Sequence, residues 1–141
     1  MRSLTVAALL ATLPMISGCE TPGLSTYPVQ GKVQFEDGAP VRSGYVETLS
    51  REHRINSRGQ IQRDGSFELT TFREADGAVP GMHDVVVIQF LGSEKTSQIE
   101  HDHGEAVATR FADYTQSGLS MKVNEQQGNT CVLTVLKARH K

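Results

Sequence analysis

The chain has 141 residues, with 14 Lys and Arg against 16 Asp and Glu, and a net charge of −2 with its histidines neutral. That balance, without any basic stripe, excludes a nucleic-acid surface. The length suits one domain with a modest core, and two cysteines allow at most one intramolecular bridge.

Arg2 supplies a short positive start, and residues 4–16 form an apolar run. A bilayer-spanning helix needs about 20 residues, so the run predicts an export signal rather than a permanent anchor. Ile16-Ser17-Gly18 then leads directly into Cys19. This stretch resembles the lipobox of bacterial lipoproteins. The resemblance implies recognition of Ile16, Ser17 and Gly18 by a signal peptidase, cleavage after Gly18, and acylation of Cys19 with palmitate or a similar chain. Two or more chains anchor stably, because each buried methylene contributes about 0.8 kcal/mol. The expected organisation is a signal peptide over 1–18, a lipidated N-terminus and tether over 19–28, a folded domain over 29–137 and a polar tail over 138–141. The expected location is the cell envelope, on the periplasmic side or the cell surface, with membrane lipid as partner through acylated Cys19. Loss of Arg2 with the leader takes the net charge to −3. Cys131, deprived of Cys19, reads as a buried small hydrophobe, with an intermolecular bridge as the alternative.

Residues 20–28 carry two prolines and a glycine without periodicity, as a tether does. Residues 29–35 alternate strictly, with Val29, Val33 and Phe35 on one face, which predicts a half-buried strand. Glu36-Asp37-Gly38 turns the chain, and residues 44–49 supply a second strand. Residues 60–63 and 66–71 flank Asp64-Gly65, the pattern of a type I′ hairpin with positive φ at both central residues. Pro80-Gly81 predicts another turn. Val85-Val86-Val87-Ile88 after it predicts a central strand covered on both faces. Residues 91–107 read as a long polar loop. Residues 119–123 alternate again, residues 124–129 turn, and residues 131–136 close the domain.

No segment shows sustained helical spacing. The prediction is an all-β antiparallel β-sandwich of about seven strands behind a lipoprotein signal peptide. Its core is thin, with five phenylalanines and no tryptophan, and rests on Val33, Phe35, Phe67, Leu69, Val85, Val87, Leu133 and Val135.

Three stretches, VQGKVQFEDGAPVRSGYV, RGQIQRDGSFELTTFREADGAVPGMHDVVV and RFADYTQSGLSMKV, resemble small bacterial lipoproteins with a carboxypeptidase-regulatory-like, or transthyretin-like, domain. The resemblance implies a seven-stranded sandwich on a lipid anchor with a structural or binding role, toward an envelope protein or polysaccharide. The same fold family includes hydroxyisourate hydrolases, but the histidine of their first strand and their Tyr-Arg-Gly-Ser tail have no counterpart in Val33, Phe35 and Ala138-Arg139-His140-Lys141. No G-x-S-x-G, H-E-x-x-H or P-loop motif occurs. Ser66 and Ser117, each beside a glycine, read as turn residues. The expectation is therefore a non-catalytic protein with no cofactor. The alternative is a metal-binding protein or metal-dependent hydrolase. It would use His101-Asp102-His103, whose alternating imidazoles could reach one cation. His83 and Asp84 read as a surface pair. Arg51, Arg54, Arg58 and Arg63 read as a solvated edge that blunts strand addition, with the 91–107 loop guarding another edge.

Overall fold

A computed structural model describes residues 23–89 and 104–139. Within them lie seven strands: β1 (Val29–Phe35), β2 (Tyr45–Ser50), β3 (Asn56–Gln60), β4 (Ser66–Glu68), β5 (Gly81–Ile88), β6 (Leu119–Val123) and β7 (Asn129–Val135), with a single 3-10 turn at Thr109–Ala112 and no α-helix among the described residues. They form two sheets, ordered β4-β1-β7 and β3-β2-β5-β6.

The core lies between the sheets because β1, β5, β6 and β7 turn alternate apolar residues inward, while β2 adds Val46 beside the buried hydroxyls of Thr48 and Ser50. Val29, Val33 and Phe35 meet Val46, Val85, Val87, Met121, Val123, Leu133 and Val135 in one buried cluster. All eight residues expected to matter most are buried. Burial of each such side chain contributes roughly 1.5–3 kcal/mol. β5 is central in its sheet, and Val85, Val86 and Val87 are sealed on both faces, as a continuous apolar run requires.

Three expectations need correction. β1 and β7 run parallel, in register from Val29↔Asn129 to Phe35↔Val135, so the three-stranded sheet is mixed rather than antiparallel. Short turns force antiparallel neighbours, but the first and last strands share no turn and escape that constraint. The expected strand at residues 60–63 gives way to β3, which ends at Gln60, where the expected strand begins. Its inward residues are Ser57 and Gly59, so it shows no apolar alternation. Gly59 is required there because a Cβ would strike the Glu68 carbonyl of β4. Finally, the Asp64-Gly65 turn is not type I′, since positive φ falls on Gly65 (86°) and not on Asp64. The Gly65 N–H donates to Gln62 O (2.9 Å), the Gln62 N–H to Ser66 O (2.8 Å), and the Asp64 carboxylate accepts the Ser66 N–H (2.9 Å). The same bonds recur around Asp37: Gly38 N–H to Phe35 O, Phe35 N–H to Ala39 O, and Ala39 N–H to the Asp37 carboxylate. Both aspartates sit below the usual carboxylate range, Asp37 chiefly through Lys137 and Asp64 chiefly through Ser66.

The registers define two ends. Ser50↔His83, Gly81↔Val123 and Val29↔Asn129 gather residues 51–55, 69–80 and 124–128 at one end, together with the incoming chain. Tyr27 and Ala78 form a bridge there. Asn129 donates to Pro28 O (3.3 Å) and Asn124 O (3.0 Å), tying the last turn to the first strand. The turns at 36–38 and 63–65 lie at the opposite end.

Candidate functional site at the seam of the sheets

The edges β3 and β4 meet where Arg58 and Thr70 exchange backbone hydrogen bonds of 2.9 Å. Behind this bridge Ser57 Oγ lies 2.7 Å from Thr71 Oγ1, which donates to Gly77 O at 2.6 Å. Polar groups thus close the seam, and side chains project from it on both sides.

One side is an open groove of about 620 Å³ lined by Gln30, Gln60, Gln62, Glu68, Thr70 and Glu74. Gln30 Nε2 donates to Glu68 Oε1 at 2.6 Å across the β1–β4 pair. The other side, about 460 Å³, is bounded by Tyr45, Glu47, Asn56, Arg58 and Thr71. Here the Arg58 guanidinium lies 3.8 Å from the Tyr45 ring centroid, and Glu47 stands opposite Arg58 in the β2–β3 register. The Tyr114 hydroxyl donates to Glu47 Oε1 at 3.1 Å. Burial first, and Glu47 second, raise the Tyr114 phenol, so it remains a donor at any physiological pH. Both grooves are open, and amides, carboxylates and hydroxyls line them with hydrogen-bonding groups.

The described histidine and serine hydrogen bonds are structural. His83 is fully buried, contrary to its reading as a surface residue: it follows the inward alternation of β5, while Asp84 faces outward and receives Arg51. Arg51 Nη2 approaches Asp84 Oδ1 at 2.6 Å, and Asp84 raises the guanidinium pKa. The four arginines do not form one site: Arg51 pairs with Asp84, Arg58 stacks on Tyr45, Arg54 lies beside Arg51 in the 51–55 turn, and Arg63 lies in the turn at the opposite end. Ser117 Oγ donates to the Val85 carbonyl and accepts the Leu119 N–H (3.0 Å), joining β5 to the start of β6 as a turn residue does. Ser66 Oγ donates to Asp64 (2.6 Å). Cys131 is half-buried, and burial pushes its thiol up to about 11.

Ile16, Ser17, Gly18 and Cys19 lie outside the described residues, as do His101, Asp102 and His103. Among the described residues no three His, Cys, Asp or Glu side chains gather as metal ligands, and no helix is long and apolar enough to cross a membrane. The seam grooves were not legible beforehand. Tyr45 and Glu47 alternate with buried Val46 and Thr48, which announces an outward face. Arg58 joins them only through strand pairing.

Compared with family models, with curated proteins and with solved structures, the chain matches none of them.

Proposed function

We propose that the chain is an exported lipoprotein, anchored through acylated Cys19, whose β-sandwich is a non-catalytic module that binds an envelope protein or polysaccharide. The observation that carries this reading is the join between Ile16-Ser17-Gly18-Cys19 and an all-β domain whose first bridge, Tyr27–Ala78, begins only a few residues later. A cysteine at the end of an apolar leader, followed by a short tether and a two-sheet domain, fits a lipid-held module. The order of turns and strands supports kinship with carboxypeptidase-regulatory-like domains. The polar grooves flanking the β3–β4 seam are the surface best suited to a saccharide chain.

The decisive experiment feeds labelled palmitate to cells making the full chain and a Cys19→Ser variant. The expected result is label on the wild-type protein, none on the variant, and release of the variant from the membrane fraction. Equal membrane association of the serine variant would end the lipoprotein reading. Calorimetric titration with zinc and copper separates the competing metal-site reading. Binding tighter than millimolar that disappears in a His101→Ala, His103→Ala double variant would put that reading first.

A further inference from the structure

Four large apolar residues are exposed among the described ones: Leu24, Phe72, Met82 and Val132. Val132 sits in the middle of β7, whereas the other three lie at the same end of the sandwich. Met82 is the second residue of β5 there, Leu24 belongs to the incoming chain, and Phe72 lies on the connection between β4 and β5. It is the end from which the chain runs back toward Cys19.

Phe72, 59 % exposed, is displayed on a loop with a fixed backbone. The Asp76 carboxylate accepts the N–H groups of Thr71 (2.7 Å), Phe72 (3.0 Å) and Arg73 (3.0 Å). Thr70 Oγ1 accepts the Ala75 N–H (3.0 Å), and Ala75 holds a left-handed φ of 55°. The Gly77 and Ala78 N–H groups bond to Leu69 and Tyr27 carbonyls. An exposed aromatic on a preordered loop loses little conformational freedom when it is covered, which is the property of a docking anchor.

We propose that this end faces the lipid surface and that Phe72, with Met82 and Leu24 beside the tether, enters the bilayer interface. The inference rests on the acylation of Cys19. Its geometric basis is reach: Cys19 and Thr26 are seven residues apart, at most about 25 Å of fully extended chain. Thr26 lies against Asp76, so the Phe72 loop shares the position of the tether's exit. A lipid held at residue 19 therefore keeps this end close to the membrane. Apolar side chains exposed at that end, Phe72 foremost, are better covered by lipid than by water. Arg51, Arg54 and Arg73 at the same end can remain among headgroups, and Glu52, Glu74, Asp76 and Glu125 leave its three connecting segments only one charge negative.

The chain contains no tryptophan, so one substitution installs one reporter. The acylated full chain is placed in vesicles of phosphatidylethanolamine and phosphatidylglycerol, carrying Phe72→Trp, Met82→Trp, or a control at the opposite end, Glu36→Trp or Arg63→Trp. The expected result is a blue-shifted emission, quenched by brominated acyl chains and shielded from iodide, for Phe72→Trp and Met82→Trp only. Palmitate label on the chain together with iodide-accessible, lipid-insensitive tryptophan at position 72 overturns this inference alone. That outcome would leave the end open to a protein. Equal lipid quenching at positions 36 and 72 overturns it as well. Absence of the label overturns the anchoring reading and this inference with it.

Discussion

The imidazole Nδ1 of His83 lies 3.2 Å from Thr48 Oγ1 on the core side of β5, and both residues are fully buried. The other nitrogen, Nε2, donates to the Val79 carbonyl at 2.8 Å, which assigns the acceptor role to Nδ1 and the donor role to the threonine. A ring so placed is neutral. Burial depresses its pKa below the ordinary 6.5, with His53 nearby adding to the effect, while the Val79 carbonyl and Asp84 oppose it. The unfolded chain therefore binds a proton more readily than the folded one as pH falls below 6.5. Stability is fully present above that value and declines toward the folded-state pKa, by at most about 1.4 kcal/mol per pH unit. Urea unfolding at pH 8 and pH 5 should show this loss in the wild type. His83→Gln keeps a donor for Val79 but cannot titrate, so its unfolding midpoint should vary less between the two values. An unchanged pH dependence in that variant would remove His83 as the cause.

Asp76 organises the connection that carries Phe72. Its carboxylate is pushed up by burial, yet the N–H groups of Thr71, Phe72 and Arg73 more than offset that and hold it below the usual range. Its contribution is present above the unfolded value of 3.8 and disappears as pH drops through the lower folded value. Asp76→Ala should destabilise the domain by about 1.5–3 kcal/mol, since it removes three charge-assisted hydrogen bonds and leaves the part-buried Thr71 N–H without its acceptor. It should also open the backbone beside Arg73 to trypsin. A cleavage rate at Arg73 matching the wild type would show that the loop is held by other means.

How much of this was legible in the sequence depends on where the signal resides. β1 and β6 were readable to the residue, because Val29, Val33 and Phe35, and Met121 and Val123, alternate with polar neighbours. β3 was not, because its inner face is Ser57 and Gly59, small residues chosen to let β4 cross close by. His83 hid for a related reason. A histidine at the start of an apolar run looks like a surface residue until Thr48 and Val79, the latter only four positions away, are seen to satisfy both nitrogens. The parallel pairing of β1 and β7 joins residues one hundred positions apart and leaves no local trace. The seam grooves depend on pairings the pattern does not announce, Arg58 with Thr70 and Gln30 with Glu68, so only their outward-facing strand residues could be anticipated.

Val87 and Val132 offer a paired test of the core. Val87 is 1 % exposed and lies between the sheets; Val132, on β7, is 61 % exposed. Val87→Asp places an unpaired carboxylate in the core and should unfold the domain, a loss beyond about 4 kcal/mol. Val132→Asp should fall within about 0.5 kcal/mol of the wild type. Thermal melts read both directly. A cooperative transition near the wild-type temperature for Val87→Asp would invalidate the core described above.

Cys131 provides a chemical readout of both fold and anchor. Its thiol packs against the core cluster beside Gly31, and burial holds its pKa up near 11, so little thiolate exists at pH 8. Alkylation by iodoacetamide should therefore be slow in the native protein and should accelerate by orders of magnitude in denaturant. Because reactivity follows the thiolate fraction, the native rate should climb with pH toward 11 rather than level off near the ordinary cysteine value. The number of thiols released on unfolding carries separate information. With Cys19 converted to a thioether, denatured protein isolated from membranes should yield one reactive sulfur per chain, and that sulfur should vanish in Cys131→Ala. Two reactive sulfurs would mean that Cys19 is unmodified, and rapid native labelling would mean that β7 does not pack its thiol as described.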